Sequence, residues 1–144
     1  MSSFKAFEIA GSGMSAQSVR LNTTASNLAN AESVSSTPEG VYKARHPIFE
    51  AVRAQLAIGP HASEANANAA VRVRGIYEST APAAQRYEPG NPLADANGYV
   101  YAPAVNVVEE MVNMISASRS YQNNVEVMNT SKDLLMATLR LGQG

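Results

Sequence analysis

Few residues in this chain combine the types and spacing that chemistry needs. His46 and His61 are the only histidines. They fall in a strand-like stretch and a loop, and with no cysteine beside them they make no zinc-type ligand set. Asp95-Ala96-Asn97-Gly98 matches part of a calcium loop. Aligning Gly98 with the invariant glycine of such a loop puts Leu93 and Ala104 at its first and last ligand positions, where the ion needs oxygen, so the segment reads as a turn. Glu109-Glu110 is a vicinal carboxylate pair, accounted for by the positive end of a helix that starts there. Asn22-Thr23-Thr24 and Asn129-Thr130-Ser131 fit a glycosylation acceptor pattern but lie on predicted helices. No nucleophile elbow, phosphate loop or dinucleotide fingerprint occurs. With no convergent acid, base and nucleophile, the chain reads as a non-enzyme with no catalytic, cofactor-binding or metal residues and no cofactor.

The composition points the same way. In 144 residues the hydrophobic share is 45%, but there are three Phe and no Trp, so large anchors for a core are scarce. Charged residues make up 16%, against about 25% in typical proteins. A net charge of −1 gives no long-range attraction for nucleic acid. The absence of cysteine excludes disulfides and thiolate sites. No basic n-region with an apolar stretch opens the chain, and no run approaches the ~20 apolar residues that span a bilayer. Neither a cleaved signal nor a direct membrane span is expected.

Assembly, in place of chemistry, is written into the two ends. Phe7, Met14, Leu21 and Leu28 fall seven apart, interleaved with Phe4, Gly11, Ser18 and Ala25. Towards the C-terminus, Val107, Met111, Met114, Ser118, Tyr121, Val125, Met128, Lys132, Leu135 and Leu139 follow alternating steps of four and three. That period of about 3.5 residues marks a helix seam that wants a partner. The first helix is predicted from Ser3 to Asn30, with Asn30 as a left-handed exit. The second is capped by Asn106, with Glu109 as capping-box partner, and stops at Gly142. Outward positions on both carry Ser, Gln, Asn and Thr where a solvated helix carries Glu and Lys, as if those faces were covered by neighbours.

Between the helices the texture changes. Val41–Glu50 and Val71–Glu78 are rich in β-branched and aromatic residues, and Gly59–Ala70 reads as a surface loop. In Tyr87–Tyr101, Asn97-Gly98 favours a tight hairpin turn with positive φ. The predicted fold class is α+β: long N- and C-terminal helices pairing as an antiparallel coiled coil, with a small β-rich unit inserted. The helical domain comprises residues 1–32 and 106–144, and the middle domain residues 33–105. Large knobs on the second helix match small positions on the first, although an ordinary helical hairpin closing a monomer's core satisfies the same periodicity. A helical-hairpin binding module, such as a secretion chaperone gripping a client, is the alternative function.

Several strings resemble the bacterial flagellar axial and rod proteins. Ser12-Gly13-Met14-Ser15-Ala16-Gln17, Arg20-Leu21-Asn22 and Ala25-Ser26-Asn27-Leu28-Ala29-Asn30-Ala31 are similar to the motif those proteins share. Tyr87-Glu88-Pro89-Gly90-Asn91-Pro92-Leu93-Ala94-Asp95, Gly98-Tyr99-Val100, Glu110 through Gln122 and Leu139-Arg140-Leu141-Gly142-Gln143 resemble the proximal rod members. Ala104 and Asn123 depart from the pattern without touching the apolar seam. The resemblance implies a structural subunit of the basal-body rod, part of the shaft that carries torque across the periplasm. It implies export through the flagellar type III apparatus without signal cleavage, and partners in other copies of itself and other rod and axial proteins. The residues assigned to the assembly interface are Phe7, Met14, Leu21 and Leu28 facing Met111, Met114, Tyr121, Val125, Met128, Leu135 and Leu139. Asn27, Asn30, Gln122 and Asn123 are assigned intersubunit hydrogen bonds.

Overall fold

The computed structural model of the chain describes residues 3–53 and 69–142. Helix α1 (Ser3–Asn30) is followed by a short 3-10 turn (Pro38–Gly40), strands β1 (Arg45–Arg53), β2 (Ala69–Glu78), β3 (Ala84–Tyr87) and β4 (Tyr99–Ala102), and helix α2 (Val107–Gly142). The strands form two two-stranded sheets, β1–β2 and β3–β4. The architecture is α+β, and α1 contacts α2. Most of the predicted loop Gly59–Ala70, including His61, lies outside the described residues.

Side-chain hydrogen bonds mark the start of α2 and the end of α1. Asn106 Oδ1 accepts from the backbone N–H of Val108 and of Glu109, at 3.1 and 3.3 Å, and so caps α2. Asn30 does not take a left-handed conformation, because glycine 98 alone has positive φ among the described residues. Instead its side-chain amide donates to Ser26 O at 2.8 Å, Ala31 N–H reaches back to Leu28 O, and Ser33 donates to Asn30 O, so the chain leaves the helix without a left-handed residue.

In the β3–β4 pair, Tyr87 lies opposite Tyr99 and Ala84 opposite Ala102, antiparallel. Asn97-Gly98 is therefore not a two-residue hairpin loop. It closes a longer connection from Glu88 to Gly98, in which Asp95 Oδ1 accepts from the N–H of Asn97 and of Tyr99. Gly98 has φ +84°, and a Cβ there would lie 3.0 Å from Tyr87 Cε2. Gly98→Ala is expected to lower stability by about 1–2 kcal/mol through the left-handed penalty and this contact, measurable as a lower urea midpoint.

The chain divides into two compact units, residues 1–19, 48–75 and 117–144 in the first and residues 20–47 and 76–116 in the second. In the first, the buried side chains among the described residues are Ala10, Ala16, Ala117 and Ser131, none larger than serine. In the second, Val41, Ala44, Val100 and Ala102 are buried together with Thr23, Thr24, Asn27 and Glu110. Val100 and Asn27 are the largest fully enclosed side chains among the described residues. Sheets of two strands are marginal alone, and apolar burial of this extent contributes little.

Candidate assembly interface

The second unit is organised by an asparagine. Asn27 is fully buried on α1, and its side chain makes four hydrogen bonds. Oδ1 accepts from Arg45 N–H at 2.8 Å and from Tyr42 O–H at 2.9 Å. Nδ2 donates to Arg45 O at 2.9 Å and to Glu110 Oε2 at 2.9 Å. One side chain thus uses its full donor and acceptor capacity to join α1, the entry to β1 and the first turn of α2. Arg20 Nη2 donates to Asn113 Oδ1 at 2.9 Å, a second tie between the helices. Expected at contacts between subunits, Asn27 makes these four hydrogen bonds within the chain. Tyr42, Arg45 and Glu110 as partners of Asn27, and Asn113 as partner of Arg20, carry no signal in the sequence, because no local pattern joins positions so far apart.

In the first unit the helices approach across glycine. A Cβ at Gly13 would lie 2.8 Å from Asn124 Nδ2, and one at Gly11 would lie 3.7 Å from Met128 Cε. The most enclosed line on α2 is Glu110, Ala117 and Ser131, with half-buried Asn124 completing a spacing of seven. Met114, Val125, Met128 and Leu135 are half-buried. Met111, Tyr121, Gln122, Asn123 and Leu139 are exposed. On α1, Phe7, Met14, Leu21, Leu28 and Asn30 are all half-buried. The structure therefore leaves much of the apolar seam open to contact. Further large apolar side chains on α2 stand in the open, among them Val108 at 70% and Leu141 at 83% exposure, with Val112 and Ile115 beside Met111.

A charge cluster joins β3, the loop after it and the exit of α1. Arg86 pairs with Glu88 at 2.7 Å and with Glu32 at 3.3 Å. Asn91 Nδ2 donates to Glu88 Oε2 at 2.9 Å, and that bond first, then Arg86, holds the Glu88 carboxyl below its usual value. A lowered carboxylate supports the folded loop above its unfolded value and loses that support as pH falls. Asn91→Ala is expected to move the Glu88 titration midpoint upward, read from the side-chain carboxyl resonance by NMR. Among the described residues no group of three or more His, Asp or Glu is placed to hold a metal ion. No described helix is long and apolar enough to cross a membrane.

Residues 7–34 match the family described as flagella basal body rod protein. Residues 96–141 match the family described as flagellar basal body rod FlgEFG protein C-terminal. The chain is 52% identical to the flagellar basal-body rod protein FlgC of Salmonella typhimurium, over 95% of this chain and 96% of that one. The chain belongs to the FlgC family of flagellar basal-body rod proteins. Its identity to the FlgC of Yersinia enterocolitica is 51% over 99% of this chain and all of that one, and to the FlgC of Buchnera aphidicola subsp. Acyrthosiphon pisum 38% over the same shares. A FlgC-family chain is a structural subunit of the rod, located in the flagellar basal body, and not an enzyme. The two family matches fall on α1 with its exit and on the Gly98 turn, β4 and α2. These are the segments that carry Asn27, Glu110 and the exposed apolar face of α2.

Proposed function

We propose that this chain polymerises through its terminal helices into the proximal, torque-bearing part of the rod. The observation that carries the reading is the exposed apolar surface of α2 in a chain whose own core is mostly alanine, valine and small polar groups. Exposed apolar faces of this extent mark interaction surfaces. Residues 1–32 and 106–144 form the helical domain, paired as an antiparallel coiled coil. In its support, later α1 residues meet earlier α2 residues within each unit: Gly11 beside Met128 and Gly13 beside Asn124 in one, Arg20 with Asn113 and Asn27 with Glu110 in the other. Residues 33–105 form the β-rich domain that contacts adjacent rod proteins and fixes register.

Phe7, Met14, Leu21 and Leu28 with Met111, Met114, Tyr121, Val125, Met128, Leu135 and Leu139 make the seam between and within subunits. Asn30, Gln122 and Asn123 add polar contacts between copies, while Asn27 positions α1 from inside. A heterologous contact of one patch with a different patch next door lets the array grow along an axis. The chain reaches the rod through the flagellar type III export apparatus. Because it has no cysteine, single-cysteine variants report contacts cleanly. Co-expressed Leu21→Cys and Met111→Cys copies, which place one thiol on each of two different patches, are expected to give oxidised dimers in isolated basal bodies. Monomers alone from the co-expressed pair, in rods of normal length, would overturn the seam between copies.

A further inference from the structure

On three of the four described strands, outward backbone groups are taken by the chain itself. Asn27 bonds both the N–H and the C=O of Arg45 on β1, and Ser12 Oγ accepts from Val71 N–H on β2 at 3.1 Å. On β4, Tyr101 exchanges both backbone bonds with Ser35, at 2.9 and 3.0 Å. Tyr99 N–H donates to Asp95 Oδ1, and Asp95 N–H donates to Tyr99 O. Tyr101 and Tyr99 therefore turn away from β3. In an antiparallel ladder the residues opposite them, Gln85 and Tyr87, turn away as well. Their N–H and C=O groups have no partner among the described residues. β3 carries no proline, lysine or bulge to blunt this edge, and its register runs unbroken from Ala84 to Tyr87.

The two faces beside the edge differ. Exposed Tyr87 meets Tyr99 edge to face on one, and Arg86 lies with Glu88 and Glu32 on the other. One guanidinium against two carboxylates leaves an acidic excess there, with the Glu32 side chain 80% exposed. An open backbone edge takes a polypeptide strand, and this one suits a strand apolar on one face and cationic on the other. β2 has that pattern: Val71 and Val73 alternate with Arg72 and Arg74, and a strand lies along one side of it only. Arg72 pairs with Glu50, whereas exposed Arg74 has no carboxylate partner among the described residues.

We propose that the open edge of β3 accepts strand β2 of a second copy, joining neighbours through a shared sheet with Arg74 against Glu32 and Glu88. This rests on the reading of the β-rich domain as a contact between subunits and gives that contact its residues. Unlike edges meet, so the contact is heterologous and repeats from copy to copy.

Gln85→Pro tests the edge. The N–H it removes points outward and serves no bond among the described residues, so the urea midpoint is expected to match wild type, while the ring blocks an added strand. Swimming in soft agar at normal protein level is expected to slow by about fivefold or more, the scale of one lost backbone hydrogen bond. Wild-type swimming by a normally folded Gln85→Pro chain would overturn the proposal. The source of the strand is read from co-expressed Gln85→Cys and Gly75→Cys copies, in isolated basal bodies treated with a short bis-maleimide. Gln85 is exposed and a Cβ at Gly75 meets nothing within 4 Å, so both substitutions leave the fold and Arg74 in place. Dimers that need both variants are expected. Monomers alone in rods of normal length would refute the second copy as the source, and this result decides if Gln85→Pro does not fold. Either refutation leaves the rod-subunit reading standing, because that reading fails only where a deletion strain builds complete rods.

Discussion

Asn27→Ala is expected to lower the stability of the full chain by about 3–5 kcal/mol, measured by urea unfolding at neutral pH. Truncation removes both partners of the Arg45 backbone, the acceptor of Tyr42 O–H and a donor to the buried Glu110 carboxylate. Each buried group left unsatisfied costs about 1–3 kcal/mol, and a buried charge that loses its partner costs about 3–5 kcal/mol. The terms are not additive, since freed groups relax or admit water, so the estimate stays below their sum. Asn27→Asp tests the same node differently. It sets a second carboxylate where Nδ2 meets Glu110 and is expected to be at least as damaging at pH 7. A change below about 1 kcal/mol in both variants would show that the node contributes no more than a surface contact.

Leu28→Pro is expected to cost about 3 kcal/mol or more in α1 and to abolish motility. Proline at this position has no N–H to donate, and its ring clashes with the carbonyl one turn back, at Thr24. It also drives the preceding residue away from helical geometry, and that residue is Asn27. One substitution thereby interrupts the seam and displaces the polar node, so rod assembly should fail even if the chain is made in normal amount. Swimming on soft agar, with the protein level followed by immunoblot, is the measurement. Wild-type swimming at normal protein level would contradict a requirement for an unbroken α1.

The helices were legible because their signals are local. Ser3–Asn30 follows from a seven-residue apolar spacing, and the start of α2 follows from Asn106 ahead of an apolar run. Gly98 likewise announced its positive φ through the turn chemistry of Asn97-Gly98. The line on α2 that is most enclosed was harder to see. Apolar periodicity picks out Met111, Ser118, Val125 and Lys132, whereas burial centres one residue earlier, on Glu110, Ala117, Asn124 and Ser131. Periodicity finds faces that avoid water, and a helix made for several neighbours has more than one of them, so the pattern does not say which face the chain covers for itself. Strand β3, Ala84-Gln85-Arg86-Tyr87, is exposed along its whole length and carries no alternation to mark it. The tie of Glu110 to Asn27 is hidden for another reason. The position of Glu110 in a first helical turn already had a sufficient local explanation, and the partner that changes its meaning lies on the other helix.

Deleting the gene, scoring motility and imaging isolated basal bodies by electron microscopy tests the central claim most directly. The account predicts basal bodies without a completed rod and no swimming, both restored by the intact gene. Complete rods with normal swimming in the deletion strain would contradict it.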